Sequence, residues 1–313
     1  MTRAIVYSSL GGPEVLTVAE VPEPVAAPGE LVIRVEAVGV NPLDGKLRAG
    51  VRPGPPFDGP RRMGSDAAGV VTAVGDGVDG YRVGDDVVVT GIPGAYASEL
   101  AVPAANAVHR PPQVSPAQGA AIGIPAGTAY QTLRSLDVRA GDTLLVHAGS
   151  GAVGQAVVQF AVLWGASVIA TASPRRFERM RELGATPVAY GEGLVDRVRA
   201  AAPHGVTVIV DAAGTDEALD ASAELLADRS RIATLVRGRD AAGRGIRAFS
   251  GGSPEPLTPQ QLSWRAEAIP VTLALMAVDR FSVELGPRFA LDDAADAHRA
   301  LADGVDGKIV LIP

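Results

Sequence analysis

The sequence predicts an α/β protein in which a β-rich N-terminal domain precedes a doubly wound parallel-sheet domain. Three observations predict it. Up to about residue 120 the chain runs in short β-like segments cut by Gly and Pro, and many short strands with frequent turn signals read as a small barrel or sandwich. From Gly141 onward, apolar runs of strand length alternate with helix-like segments, as parallel strands require, because each needs a crossover connection. The length of 313 residues exceeds the roughly 100–200 of one ordinary domain, so two are expected.

In the first region the strand candidates are residues 4–7, 31–37, 69–74, 86–90 and 95–102. In the second, residues 143–147 are an apolar strand, 153–163 a helix and 167–171 a second buried strand. A helix at 177–183 is stopped by Gly184, a strand follows at 187–190, a helix at 194–201 and a strand at 206–210. Residues 217–227 and 232–236 repeat the helix and strand pair. The stretch 237–259, rich in Gly, Pro and Arg, is expected to be a loop with one strand around 246–249. Residues 260–278 read as helical despite Pro270, and 308–312 as the final strand.

With 47% hydrophobic and 20% charged residues, the composition is that of a soluble globular chain and not of a disordered one. A net charge of −7 gives no whole-molecule attraction for nucleic acid or an anionic membrane. The sequence has no Cys, which removes disulfides, cysteine nucleophiles and thiolate metal sites and suits a reducing, cytoplasmic setting. No run reaches the roughly 20 apolar residues of a membrane span, since Gln159 and Gly165 interrupt the most apolar region. The N-terminus also lacks the apolar core of a signal peptide.

Residues 149–154 spell Gly-Ser-Gly-Ala-Val-Gly, with a strand expected before them and a helix after. In a dinucleotide-binding turn Gly149 makes the tight bend, Gly151 lets the backbone approach a pyrophosphate, and Gly154 lets helix and strand pack closely. Ser150, Ala152 and Val153 complete the cradle, with the first N–H groups of the helix directed at the phosphates. An NAD site usually carries an acidic residue about 20 positions after the first Gly, for the ribose hydroxyl. Here the second strand runs into Ser173-Pro174-Arg175-Arg176, followed by Arg179. A hydroxyl and guanidinium groups bind a 2′-phosphate by charge-assisted hydrogen bonds, which favours NADPH. The alternative is a solvated, basic helix start.

At this point the order of motifs resembles the zinc-independent quinone oxidoreductase, or zeta-crystallin-like, branch of the medium-chain dehydrogenase/reductase superfamily. The resemblance spans nearly the whole chain. It rests on Gly11-Gly12-Pro13-Glu14-Val15-Leu16, Gly39-Val40-Asn41-Pro42-Leu43-Asp44, Gly64-Ser65-Asp66-Ala67-Ala68-Gly69, Gly94-Ala95-Tyr96-Ala97-Ser98-Glu99, Gly127-Thr128-Ala129-Tyr130, the Gly-rich turn, Leu183-Gly184-Ala185 and Gly307-Lys308-Ile309-Val310-Leu311. It implies a GroES-like β-rich catalytic domain at 1–121, a Rossmann domain at 122–277, a return of residues 278–313 to the first domain, a cleft between domains and a homodimer. Carried over by position, Ser173 and Arg176 would hold the 2′-phosphate with Tyr190 nearby, Thr128 would meet the nicotinamide, and Lys308 would stand near the cofactor. Asn41 and Ser65 occupy positions where metal-dependent relatives carry zinc ligands, so no metal is expected. His147 is a candidate for lining the cofactor pocket, and the remaining histidines are expected to be structural or solvent-facing.

The chemistry that suits such a site is hydride delivery to an activated acceptor, a quinone or an α,β-unsaturated carbonyl, whose anionic product spreads its charge. Asn41 is the candidate donor to the acceptor carbonyl, or else an Asn-Pro turn. Asp44 is a candidate acid, or else holds its loop or bonds Arg48. Thr128 has a helix-capping alternative and Lys308 that of an exposed strand-end charge. Two departures from the family pattern bear on acceptor choice: the Gly50–Pro56 segment lacks the tyrosine many members carry, and Val236-Arg237-Gly238-Arg239 alters the loop after its strand. A pathway-specific enoyl or ketone reductase and an NADPH-binding protein with little turnover remain as alternatives.

Overall fold

The computed structural model describes residues 1–52, 54, 56–249, 253 and 255–313. Its strands are β1 (Thr2–Tyr7), β2 (Thr17–Val21), β3 (Glu30–Gly39), β4 (Arg61–Arg62), β5 (Asp66–Val74), β6 (Asp86–Thr90), β7 (Glu99–Pro103), β8 (Ala107–His109), β9 (Thr143–His147), β10 (Ser167–Ala172), β11 (Thr186–Ala189), β12 (Val208–Asp211), β13 (Ile232–Thr234), β14 (Arg247–Ala248), β15 (Leu285–Ala290) and β16 (Lys308–Ile312). Its α-helices are α1 (Pro42–Arg48), α2 (Pro116–Ala120), α3 (Gly123–Ser135), α4 (Ala152–Leu163), α5 (Phe177–Glu182), α6 (Leu194–Ala201), α7 (Asp216–Leu225), α8 (Gly238–Arg244), α9 (Pro259–Ala277) and α10 (Ala294–Asp303). By internal packing the chain forms two units, residues Met1–Ile124 with Ile269–Pro313, and Pro125–Ala268.

The first unit is organised around β3. Its apolar residues Leu31, Ile33, Val35 and Val38 are buried with Ile5, Val87, Val89, Tyr96, Leu100, Ile309 and Leu311 in one core. The larger sheet runs β15-β16-β3-β5-β6-β8, with β7 also pairing β3, and a smaller sheet runs β2-β1-β4. The C-terminal strand β16 lies antiparallel to β3, with Val310 opposite Gly39 and Leu311 opposite Val38. The Val40 N–H then donates to the Ile309 carbonyl at 3.1 Å. This register sets Lys308 beside Asn41, although 267 positions separate them.

In the second unit six parallel strands run β11-β10-β9-β12-β13-β14. Counted within the unit this is the order 3-2-1-4-5-6 of a doubly wound sheet, in which ligands bind outside the carboxyl ends where the winding reverses. That reversal lies between β9 and β12, and β9 is the strand that leads into the Gly-rich turn. Leu145, Ile169, Val188, Ile209 and Ile232 project from the sheet into a core closed by Leu194 and Val198 of α6.

Several expectations need correction. The stretch 237–259 is not simply a loop: α8 starts at Gly238 and ends on Gly245 at φ 67°, the left-handed cap glycine favours. Asp240 in its first turn and Arg244 in its last suit the helix dipole. Residues 250–252 and 254 lie outside the described residues, as do Pro53 and Pro55 of the segment lacking the family tyrosine. Strand β7 begins at Glu99 instead of residue 95, because the Ala95 and Tyr96 N–H groups turn to the carbonyls of Gly64 and Met63. Helix α9 continues through Pro270, as expected. Among the described residues no helix is long and apolar enough to cross a membrane.

Candidate functional site

In the second unit β9 ends at His147, and Ala148 turns into the left-handed region at φ 56°. The end of β10 pins this turn: the Ala148 N–H donates to Thr171 Oγ1 at 3.0 Å and the Gly149 N–H to the Thr171 carbonyl at 2.9 Å. Helix α4 starts directly afterwards with Gly151 as its N-cap, and no side chain caps it. The first N–H groups of a helix without a side-chain cap form a ready anion site.

The three glycines of the motif differ in what they would meet with a side chain. A Cβ at Gly154 would stand 2.3 Å from the Ala148 carbonyl oxygen and 2.7 Å from Gly149 Cα. At Gly149 it would stand 2.7 Å from Ala170 Cβ. At Gly151 it would meet only the Ala148 oxygen at 3.5 Å, an ordinary contact, and the backbone there (φ −72°, ψ 163°) suits any residue. Packing therefore explains two of the glycines, and Gly151 is the one the protein's own packing does not require. A backbone left bare where nothing internal needs it fits a pyrophosphate lying against it.

Around the turn, Gln155 Nε2 donates to the Ser150 carbonyl at 2.9 Å, and Arg179 Nε donates to Gln155 Oε1 at 3.0 Å. Arg179 also pairs with Glu182 at 3.2 Å, so it braces the turn from behind. Ser173 opens a short 3-10 turn (Pro174–Arg176), is half-buried and makes no capping bond through its side chain. Parallel pairing of Ala172 with Ala189 sets Ser173 and Tyr190 at neighbouring strand ends. Tyr190 is 59% exposed. Arg197 of α6 holds the loop that carries it, donating to the carbonyls of Ala189, Gly191 and Glu192 at 2.9, 2.8 and 2.8 Å. This clamp was not singled out from the sequence.

His147 is buried, with Nε2 3.1 Å from Ser222 Oγ. Burial pulls its pKa down to about 4, against the pull of Asp211, so it is neutral at pH 7. Asp211 accepts from the Ala213 and Gly214 N–H groups at 2.9 and 2.8 Å and from Thr234 Oγ1 at 2.7 Å, which shapes the loop after β12. Arg237 pairs with Asp240 and, at 3.1 Å, with Asp216. Thr128 lies inside α3 and is not a cap; its Oγ1 accepts from Arg265 Nη2 at 3.1 Å.

The first unit holds a buried polar cluster. Asn41 is the N-cap of α1, and Asp44, three residues on, accepts the Asn41 N–H at 2.8 Å in a capping box. The Asn41 amide donates to the Gly39 carbonyl at 3.3 Å and to Asp66 Oδ2 at 3.0 Å, while its carbonyl accepts from Lys308 Nζ. Asp66 Oδ2 also takes the Ile124 N–H at 3.1 Å. Tyr96 donates its hydroxyl hydrogen to Asp44 at 3.1 Å, and His298 Nε2 lies 3.2 Å from the same oxygen. With Tyr96 donating, the Nε2–H tautomer of His298 completes the chain.

Lys308, expected as a possible exposed charge, is only 4% exposed. Arg48 does not bond Asp44; its guanidinium donates to the Gly11 carbonyl at 2.7 Å. Both Asn41 amide hydrogens are committed inside the protein, so Asn41 is part of the scaffold of this cluster. Burial dominates the titration of these groups. It pushes Asp44 up to about 7, raises Asp66, and lowers Lys308 to about 8 against the attraction of Asp66 and Asp44. It also lowers His298 to about 4, helped by Arg48. Perturbed groups cluster in this way at functional sites.

Comparison with known proteins agrees with this architecture. The alcohol dehydrogenase GroES-like domain family matches residues 27–112, and the zinc-binding dehydrogenase family matches residues 152–240. The human protein named quinone oxidoreductase is 30% identical over all of this chain and 98% of its own length. The chain belongs to the quinone oxidoreductase family of the medium-chain dehydrogenase/reductase superfamily. Members of this family are oxidoreductases. A solved mycobacterial structure titled as complexed with NADPH is 31% identical with a TM-score of 0.83, each chain covered in full. A structure titled NAD-dependent alcohol dehydrogenase is 31% identical with a TM-score of 0.86, covering 99% of both chains.

Zinc, which the second matched family's description names, does not fit the residues of this chain. The sequence has no Cys, and among the described residues no group of three or more His, Asp or Glu is arranged to hold a metal. Beside Asn41 the positive charge is the Lys308 ammonium.

Proposed function

We propose that this protein is an NADPH-dependent reductase that delivers hydride to a quinone or an α,β-unsaturated carbonyl compound without a metal. The observation that carries the proposal is the turn in which Gly149 and Gly154 answer to internal packing and Gly151 does not. Residues Gly149 to Gly154 hold the pyrophosphate through α4's first N–H groups, and Ser173 and Arg176 hold the 2′-phosphate, with Tyr190 beside them. Arg197 and Thr171 act as positioning residues for these loops.

When bound, the nicotinamide supplies the hydride. In the first unit Asp44 is about half protonated near pH 7, and because its Oδ2 accepts from the Asn41 N–H and the Tyr96 hydroxyl, the proton is held on Oδ1. The Tyr96 hydroxyl, bonded in turn to His298 Nε2, fixes the orientation of this carboxyl group. Asn41 fixes Lys308 and Asp66, and the Lys308 ammonium supplies a fixed positive charge of the sign that favours an anionic product. Thr128 steadies α3 against Arg265. The same proposal takes the protein to be a cytoplasmic homodimer with a small-molecule acceptor and no nucleic-acid or membrane partner.

The test is oxidation of NADPH and of NADH by the purified protein, with a small quinone, a conjugated enone and no acceptor. Acceptor-dependent loss of NADPH is expected, with the better acceptor deciding between quinone and alkene chemistry. Absence of turnover with every acceptor, despite NADPH binding, would overturn the reductase reading.

A further inference from the structure

Both tryptophans of the chain, Trp164 and Trp264, line a single cavity of about 540 Å³ within the second unit, together with Arg134, Asp137, Val138 and Arg139. Trp164 caps the C-terminal end of α4 and Trp264 stands on α9. Aromatics make up only 4% of the sequence, yet four of them are gathered here. The Tyr130 ring lies edge-on to Phe160 and Trp164 at 5.2 and 5.3 Å between centroids. Trp164 and Trp264 are each half-buried, so their remaining faces are presented at the cavity.

The charge at its rim is unbalanced. Helix α3 ends in a turn where the Val138 N–H reaches back to the Leu133 carbonyl at 3.0 Å, leaving Asp137 in the left-handed region at φ 53°. Glycine is the usual residue in that position. Here the carboxylate of Asp137 pairs with Arg139 at 3.1 Å, which neutralises one guanidinium. Arg134 has no carboxylate partner among the described residues; its guanidinium lies 5.5 Å from the centre of the Trp264 ring and 5.9 Å from that of Tyr130. A planar cation lying over aromatic rings offers a carboxylate or sulfonate its edge while a neighbouring ring covers the ligand's apolar part.

We propose that this cavity is a binding site for a small aromatic anion, such as an aryl carboxylate or sulfonate, separate from the glycine turn. The aromatic ring packs against Trp164 and Trp264, and the anionic group pairs with Arg134. The volume falls within the roughly 300–1,000 Å³ typical of small-ligand pockets. This inference does not depend on the reductase reading.

Because the cavity holds both tryptophans of the chain, their emission reports directly on it. The probe is 8-anilinonaphthalene-1-sulfonate, with the neutral N-phenyl-1-naphthylamine as its uncharged counterpart. Titrating the full-length protein with the sulfonate is expected to quench tryptophan emission to saturation through energy transfer, with NADPH leaving the curve unchanged. Arg134→Glu is expected to weaken the sulfonate at least tenfold and to leave the neutral dye within twofold, its fold checked by circular dichroism. Arg134→Gln, the milder change, is expected to fall between them. Three results would overturn the proposal: sulfonate binding without tryptophan quenching, equal loss of both dyes, or displacement of the dye by NADPH. Tryptophan emission that instead changes with protein concentration, in step with self-association by sedimentation, would overturn it in favour of a second copy covering the cavity.

Discussion

Replacing Gly151 and Gly154 by alanine, one at a time, separates a glycine kept for a ligand from one kept for packing. At position 154 the new Cβ would lie 2.3 Å from the Ala148 oxygen and 2.7 Å from both Gly149 Cα and the Gly149 oxygen. All three are backbone atoms of a turn pinned by Thr171 and cannot rotate away. Overpacking of this kind costs about 1–3 kcal/mol or more, and the better helix propensity of alanine returns about 1 kcal/mol. With three backbone atoms this close the cost lies at the upper end of that range, and a net loss of about 2 kcal/mol would lower Tm by about 4–8 °C for a unit of this size. At position 151 the nearest atom is 3.5 Å away and the backbone is extended. The loss of a glycine cap and the gain from a stiffer unfolded chain are each under about 1 kcal/mol and opposed, so stability is nearly unchanged. Binding of NADPH, read by its fluorescence, is expected to weaken at least tenfold in Gly151→Ala, or about 1.4 kcal/mol. Wild-type NADPH affinity in Gly151→Ala would refute the reasoning, as would equal destabilisation of both variants.

Asp44→Asn keeps an acceptor for the Asn41 N–H and the Tyr96 hydroxyl but removes the titration. The unfolded carboxyl ionises near about 3.9, whereas the folded one holds its proton to about 7. The native state therefore binds the extra proton, and wild-type stability from this group falls as pH rises from 4 to 7, by an upper limit of about 4 kcal/mol. Urea unfolding should show Asp44→Asn gaining on wild type across that window and level above it; a pH-independent difference would contradict the assignment. Lys308→Met leaves the Asn41 carbonyl without its donor and buried carboxyls without their ammonium, and a loss of about 3–5 kcal/mol in denaturant melts is expected. Arg197→Ala frees the three carbonyls that shape the Tyr190 loop; KM for NADPH should rise several-fold with little change in kcat, whereas an unchanged KM would remove Arg197 from the account.

Apolar runs bounded by turn residues were legible to the residue: β6, β9, α6 and β16 fall where periodicity places them. Helix α1 carries its own signals, an Asn cap, Pro42 and Asp44 three residues on, yet seven residues are too few for periodicity to declare a helix. Helix α8 was hidden by the glycines at 238, 243 and 245, which read as loop although the last is its cap. In the candidate site, the glycine turn was legible because its parts are consecutive. The Asp44–Tyr96–His298 chain was not, since its members are 52 and 202 residues apart and meet only when the sheet register is fixed. Nor does a sequence distinguish Gly151 from Gly154: they are the same letter, and the difference lies in what surrounds them.

The most direct test of the central claim is the ratio of kcat/KM for NADPH to that for NADH, measured with one quinone acceptor in wild type and in Arg176→Ala. Ser173 and Arg176 as the 2′-phosphate site predict a wild-type ratio well above one that falls at least tenfold in the variant, through loss of NADPH use with NADH use unchanged. A wild-type preference for NADH, or a ratio that survives the substitution, would contradict it.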